Sequence, residues 1–88
     1  MTTTVFTITN VDDEEAELYL RSAIEQVEFI SLMKVTKISV EPHSETRGIV
    51  AEITTTEPML PEYAKGIVAL IRVQCPGNKS LTTDIYTK

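Results

Sequence analysis

The chain has 88 residues, 42% of them hydrophobic, which predicts a single domain spanning residues 1–88. Thirteen acidic against eight basic residues give a net charge of −5, which disfavours direct nucleic-acid binding and leaves room for a basic protein partner. Cys75 is the only cysteine, so a disulfide-built secreted scaffold is excluded, and we expect a reducing compartment such as the cytoplasm.

Neither a secretory signal nor a membrane span is expected. The N-terminal segment MTTTVFTITNVDDEE lacks a basic start followed by an apolar run. No apolar stretch approaches the roughly 20 residues needed to cross a bilayer.

The distribution of threonine indicates the order of the elements, because threonine favours strands over helix interiors. Two windows without threonine, Asn10 to Val35 and Glu57 to Leu81, are therefore the places where helices are expected.

The first window predicts a helix from about Asp12 to Met33. Asp12 and Glu15 have the spacing of a capping box, and the acidic first turn favours the helix dipole. One apolar stripe recurs at steps of three and four residues and is expected to face the core: Ala16, Leu20, Ala23, Ile24, Val27 and Ile30. The opposite face is charged and consists of Glu14, Glu17, Arg21, Glu25 and Glu28.

Four runs alternate with period two, as half-covered strands do: TVFTIT, KVTKISVE, GIVAEITTT and SLTTDIYT. In the second run Ile38 and Val40 share one face, and Lys37 and Ser39 share the other. The link EPHSETRG contains a proline and a glycine, which predicts a hairpin loop between the second and third strands.

Residues 67–75 are ambiguous. As a helix, the segment begins near Pro61 and stops before Pro76-Gly77. As a strand, it alternates from Ile67 to Cys75, and Pro76-Gly77 forms a type II turn. Gly66 and the many β-branched residues favour the strand, whereas the absence of threonine favours the helix. We favour the helix.

With that helix the element order is βαββαβ, an α+β, ferredoxin-like sandwich whose antiparallel sheet carries both helices on one face and has the strand order 4-1-3-2. The two edge strands would then be the most charged, as exposed edges require, through Lys34, Lys37, Lys79, Asp84 and Lys88. The alternative is one long helix on a five-stranded antiparallel sheet, with residues 67–75 as a strand.

No enzymatic chemistry is predicted. A metal site needs several converging ligands, but the chain has one histidine and one cysteine. His43 is expected to be a solvated turn residue, and its neighbour Ser44 lies in the same loop without a GxSxG elbow. Cys75 is expected at a buried or boundary position beside a turn. No glycine-rich phosphate loop is present. We therefore assign no catalytic, cofactor-binding or metal-binding residues.

The topology resembles that of RNA-recognition domains and of heavy-metal-binding domains with the same element order. The RNA binders stack bases on aromatic side chains of the central strands. Here Phe6 is the one aromatic residue in those strands, and it alternates with the core-facing set. The metal binders carry two cysteines in the first loop, and none is present here. Neither function is expected from the fold alone.

The leading hypothesis is a protein-protein interaction module that self-associates, for example as a homodimer, through its open sheet face or an edge strand. The open face is expected to mix apolar residues with threonines, which makes it too apolar to be inert and too uncharged for nucleic acid. The candidate protein-binding residues on this face are Val5, Thr7, Val50, Glu52 and Thr54, with Val35 beside them. A structural subunit of a larger assembly is not separable from this hypothesis.

The alternative is an acidic inhibitor that binds a basic, nucleic-acid-binding surface of another protein. Its candidate residues are the carboxylates on the charged face of the first helix, namely Glu14, Glu17, Glu25 and Glu28. The segment PEYAKGIVALI resembles part of the phage inhibitors of uracil-DNA glycosylase, which act as DNA mimics. The remainder of the chain departs from that pattern, so the resemblance assigns no residues.

Overall fold

The computed structural model describes residues 1–75 and 81–88. Within these residues, six elements follow one another in the order β1 (Thr2–Thr9), α1 (Asp13–Ile30), β2 (Val35–Pro42), β3 (Gly48–Thr55), α2 (Pro61–Gln74) and β4 (Thr82–Thr87). The predicted βαββαβ order is therefore confirmed. The Pro76-Gly77 helix stop and Lys79 of the second predicted edge lie outside the described residues.

The four strands form one antiparallel sheet in the order β2-β3-β1-β4, as the predicted 4-1-3-2 arrangement requires. Phe6 of β1 pairs with Ala51 and Ile85, and these three side chains point toward the helices. Val5 pairs with Glu52 and Tyr86 on the opposite, open face. Strict alternation along β1 therefore separates the core from the open face.

The core lies between the sheet and the two helices. Its largest fully buried side chains on this side of the sheet are Phe6, Ile8, Leu20, Ile24, Ile49, Ile53, Ile67 and Ile71. Burying an apolar side chain of this size contributes roughly 1.5–3 kcal/mol. The helices also contact each other, and Gln74 Nε2 near the end of α2 donates a hydrogen bond to Tyr19 O at 3.0 Å.

The ambiguous segment is a helix, so the favoured interpretation is confirmed. Pro61 occupies the first turn of α2, where its missing N–H is not needed. Ile67 and Ile71, one turn apart, are completely buried against the sheet and α1. Their burial outweighs the cost of about 1 kcal/mol for Gly66 in a helix interior.

The predicted end of α1 is wrong, and so is the expected burial of Ile30. The helix ends at Ile30, which is 77% exposed, whereas Met33 beyond it is only 7% exposed and joins the core. Ser31 accounts for the turn: its hydroxyl donates to Val27 O at 2.6 Å and accepts the N–H of Met33 at 3.2 Å. The chain therefore folds toward the core after Ile30 rather than along the helix axis.

Val35 does not lie on the open face, contrary to the prediction. The β2–β3 register shifts between Val35 and Lys37, so Thr36 forms an irregularity in β2. Val35 consequently pairs with the buried Thr55 and packs against the core cluster. An extra residue in one strand moves the side chains that precede it to the opposite face of the sheet. A strict period-two pattern does not reveal such a change.

The start of α1 is placed correctly, but Asp12 forms no side-chain capping hydrogen bond. Its Oδ1 instead accepts a hydrogen bond from Arg47 Nη1 at 3.3 Å. The neighbouring Asp13 accepts the N–H of Gly48 at 3.2 Å. The predicted loop between β2 and β3 is confirmed, and these two contacts fasten it to the start of α1.

Candidate functional site

The five predicted residues of the open sheet face do lie together. Val5 is opposite Glu52, and Thr7 is opposite Val50, across the two central strands. Thr54 completes the set, with its hydroxyl 3.2 Å from that of Thr3. Val5 is only 2% exposed, however, so it offers little surface to a partner. The apolar character expected of this face is therefore reduced.

An ion pair crosses this face. Lys88 Nζ donates to Glu52 Oε1 at 2.9 Å, reaching from the residue after β4 over β1 to β3. The hydrogen bond and the negative charge of Glu52 raise the pKa of the Lys88 ammonium above its ordinary value. Tyr86, which was not predicted as a site residue, also lies on this side at 57% exposure. It is the aromatic residue that the edge strand adds to the open face.

The four predicted carboxylates of α1 are not equivalent. Glu14 and Glu25 are exposed. Glu17 accepts a hydrogen bond from Arg21 Nε at 2.8 Å, which neutralises its charge locally. Glu28 accepts the backbone N–H of Val35 at 3.0 Å and so holds the start of β2. The acidic face therefore contains two carboxylates with structural contacts and two exposed ones.

A cluster of exposed apolar side chains surrounds the C-terminal end of α1. Phe29 is 90% exposed, Ile30 77%, Leu32 93% and Leu60 44%. We call these four residues the apolar patch. Isolated exposed apolar residues are ordinary, whereas clustered ones are typical of binding surfaces. Here three large ones lie within four positions of the chain, and the fourth, Leu60, lines the same groove as Leu32.

Two grooves adjoin the apolar patch. One has a volume of about 560 Å³ and is lined by Ser22, Glu25, Gln26, Phe29, Ile30 and Leu70. We call it the interhelix groove, because its walls come from α1 and α2. The other, of about 400 Å³, includes Leu32, Met33, Leu60 and Tyr63 in its lining. Phe29 and Ile30 therefore border one groove, and Leu32 and Leu60 border the other.

The apolar patch was not predicted from the sequence, although a signal for it exists. Phe29 lies four residues after Glu25, so the two share the charged face of the predicted helix. An aromatic residue on that face is expected to be exposed, because the core lies on the opposite face. Ile30 continues the apolar stripe, which predicts a core position for it. Its exposure follows from the turn at Ser31, which a periodic pattern does not show.

Side chains with catalytic potential have local structural roles. His43 Nδ1 accepts the N–H groups of Glu45 and Thr46 at 3.1 and 3.3 Å, so it organises its own turn. Cys75 is half-buried at the end of α2 and packs against the core. Within residues 1–75 and 81–88, no group of three or more His, Cys, Asp or Glu residues is arranged to hold a metal ion. In the same residues, neither helix combines the length and apolarity that a membrane span needs.

Comparisons with known proteins identify the fold. No protein-family model matches the chain, and no curated protein matches it. The C-terminal domain of the MgtC protein from Mycobacterium tuberculosis is 17% identical, with a TM-score of 0.64 over 99% of this chain and 86% of that one. A de novo designed protein with a ferredoxin fold is 18% identical, with a TM-score of 0.52 over 99% of this chain and 85% of that one.

A formyltetrahydrofolate deformylase from Pseudomonas putida is also similar, with 8% identity and a TM-score of 0.56. The similarity covers 98% of this chain but only 28% of the deformylase chain. At these identities the likeness concerns the fold alone, and the chain has the ferredoxin-like fold that its element order predicts.

Proposed function

We propose that this chain is a small non-enzymatic module that binds another protein through its helix side. The observation that carries the proposal is the exposure of Phe29, Ile30 and Leu32 at the end of α1. Leaving three large apolar side chains in water forgoes the stabilisation that burial provides, and burial against a partner recovers it. Aromatic side chains, phenylalanine included, are also enriched at the cores of protein interfaces.

The fold supports this assignment by leaving the patch uncovered. Ser31 turns the chain inward immediately after α1, so Met33 rather than Ile30 enters the core. Leu60 then brings the segment before α2 to the same groove as Leu32. The patch is thus composed of two separate segments that the fold brings together.

Self-association through the open sheet face remains a second proposal, with weaker support. Val5 is covered, and the Glu52–Lys88 ion pair would have to open or be buried if a second sheet packed there. The β2 edge carries the irregularity at Thr36 and ends at Pro42, both of which hinder strand pairing. Light scattering across a concentration series tests this proposal, and a monomer at the highest concentration would contradict it.

An acidic inhibitor is the remaining proposal. Its support is reduced to the exposed Glu14 and Glu25, because Glu17 is paired and Glu28 holds Val35. Glu14 and Glu17 lie outside both grooves, and reversing both to lysine is expected to abolish binding to a basic protein surface. Unchanged affinity would contradict the inhibitor proposal and leave the apolar patch unaffected.

The helix-side proposal can be tested by photo-crosslinking with two matched positions. Phe29 and Tyr86 are exposed aromatic residues on opposite sides of the molecule, so either can be replaced by p-benzoylphenylalanine at little structural cost. In an extract of cells that express the chain, we expect a discrete protein adduct from position 29 and none from position 86. An adduct from position 86 alone would contradict the proposal.

A further inference from the structure

The interhelix groove is lined by a mixture of apolar and polar side chains. Its lining combines the apolar side chains of Phe29, Ile30 and Leu70 with the exposed carboxylate of Glu25. The amide and the hydroxyl side chain in the lining are joined by one hydrogen bond, in which Gln26 Nε2 donates to Ser22 Oγ at 3.2 Å. A ligand therefore meets apolar side chains beside polar ones, and Glu25 is the charged residue among them.

We propose that this groove binds an amphipathic helix of a partner protein, with lysine or arginine residues beside the apolar stripe of that helix. The inference rests on the proposed function and specifies the partner. The volume of about 560 Å³ lies within the roughly 300–1,000 Å³ typical of ligand sites, which accommodates several apolar side chains.

A helical rather than extended ligand follows from backbone hydrogen bonding. The groove lies between two helices, whose interior N–H and C=O groups are already bonded within each helix. An extended peptide would find few backbone partners there, and its own polar groups would lose water without compensation. A helix brings its backbone hydrogen bonds with it and presents only side chains to the groove.

The cationic border follows from charge. Glu25 lines the groove, and the whole chain carries a net charge of −5. Arg21, one turn before Glu25, is held by Glu17, so it does not compensate Glu25 directly. A lysine or arginine on the partner would complement Glu25 and accelerate association. The same carboxylate repels an acidic helix.

A second copy of this chain fits less well. In a two-fold contact the same surface lies on both sides, so the acidic borders of two grooves would approach each other. That repulsion opposes the free energy gained by burying the apolar side chains. A cationic helix gains from apolar burial and also from attraction to Glu25. The structure therefore favours a different protein over self-association at this groove.

Isothermal titration calorimetry with three synthetic helical peptides tests the inference. The first is a Leu/Lys peptide of about 18 residues, long enough for a helix of a few turns. Its leucines recur at steps of three and four, so they form one apolar stripe along that helix. The second is a scrambled version without the stripe, and the third replaces Lys by Glu. We expect the first peptide alone to bind the intact chain with one-to-one stoichiometry.

Three variants locate the binding. Phe29→Ser, at an exposed position, should weaken the Leu/Lys peptide by about tenfold or more, the loss typical of a central aromatic contact. Glu25→Lys should weaken it severalfold, with the difference shrinking as salt is added. Glu45→Lys changes the net charge identically but lies in the β2–β3 link, which is fastened to the other end of α1, and should have little effect.

Equal losses of peptide affinity from Glu25→Lys and Glu45→Lys would overturn the inference, because the peptide would then respond to the net charge of the chain and not to Glu25 in the groove. Binding of the Leu/Glu peptide as tightly as the Leu/Lys peptide would also overturn it. So would a concentration-dependent dimer that Phe29→Ser abolishes, since the groove would then serve a second copy. An adduct at position 29 with no binding of the Leu/Lys peptide would reject the inference while retaining the proposed function.

Discussion

The carboxylate of Glu28 accepts the backbone N–H of Val35 at 3.0 Å and thereby ties the last turns of α1 to the first residue of β2. Val35 faces the core because the strand is irregular at Thr36. The same carboxylate would otherwise belong to the acidic face of α1. Glu28, a candidate binding residue from the sequence, therefore stabilises the connection between α1 and β2.

Removing this contact should destabilise the domain. Glu28→Ala leaves the Val35 N–H without its partner, and we expect the free energy of unfolding to fall by about 1–2 kcal/mol. Glu25→Ala, at an exposed position on the same helix, should change it by no more than about 0.5 kcal/mol. Urea denaturation measures both values. Equal losses would show that the contact contributes nothing.

The two described glycines should respond in opposite ways to alanine. Gly48 has φ +138°, and a Cβ there would collide with the backbone of Ile8 and lie 2.8 Å from Thr9 Cα. Gly48→Ala should therefore cost on the order of 3 kcal/mol or more.

Gly66 is the matched control, since its Cβ would meet Val27 Cγ2 at 3.9 Å, an ordinary contact. In a helix interior Gly66→Ala should stabilise the domain by roughly 1 kcal/mol. Thermal unfolding distinguishes the two variants. A destabilised Gly66→Ala would imply a closer approach of the two helices than the structure shows.

Two isoleucines test the correction at the end of α1. Ile67 is completely buried, so Ile67→Ala should cost about 2–5 kcal/mol. Ile30→Ala, the same substitution at an exposed position, should change the free energy of unfolding by no more than about 0.5 kcal/mol. A large loss from Ile30→Ala would restore Ile30 to the core, as the helical stripe predicts.

The ion pair on the open face predicts a pH dependence. The carboxylate of Glu52 raises the pKa of Lys88 above 10.5, so the stabilisation from this pair is complete below pH 10.5 and is lost as the pH rises through the folded-state pKa. Following the Lys88 side chain by NMR during an alkaline titration measures this pKa.

Glu52→Gln should lower the Lys88 pKa toward 10.5, whereas Glu41→Gln, in the edge strand β2, should leave it unchanged. A Lys88 pKa that does not respond to Glu52→Gln would mean that the two side chains do not meet in solution.

Much of the fold could be predicted because periodicity and composition report it directly. The core-facing residues Phe6 and Ile8 alternate with their neighbours, and the strand order follows from the element order. Ile67 and Ile71 fit a helix and a strand equally well, so only the absence of threonine and the completed topology indicated the helix.

The apolar patch could not be predicted from the same patterns. The hydroxyl of Ser31 turns the chain at the end of α1, so the last residue of the apolar stripe does not reach the core. The irregularity at Thr36 places Val35 on the core side of the sheet instead of the open face. Both are local events that leave the periodicity of the sequence almost unchanged. Leu60 joins the patch through tertiary structure, which no local pattern contains.

The proposed docking surface is the helix side rather than the open sheet face. Amide chemical shifts recorded by two-dimensional NMR during titration with the Leu/Lys peptide test this directly. We expect the changes to cluster from Ser22 to Leu32 and around Leu70, at the interhelix groove. Changes concentrated in residues 3–9 and 50–54 of the open face, or none at saturating peptide, would contradict it.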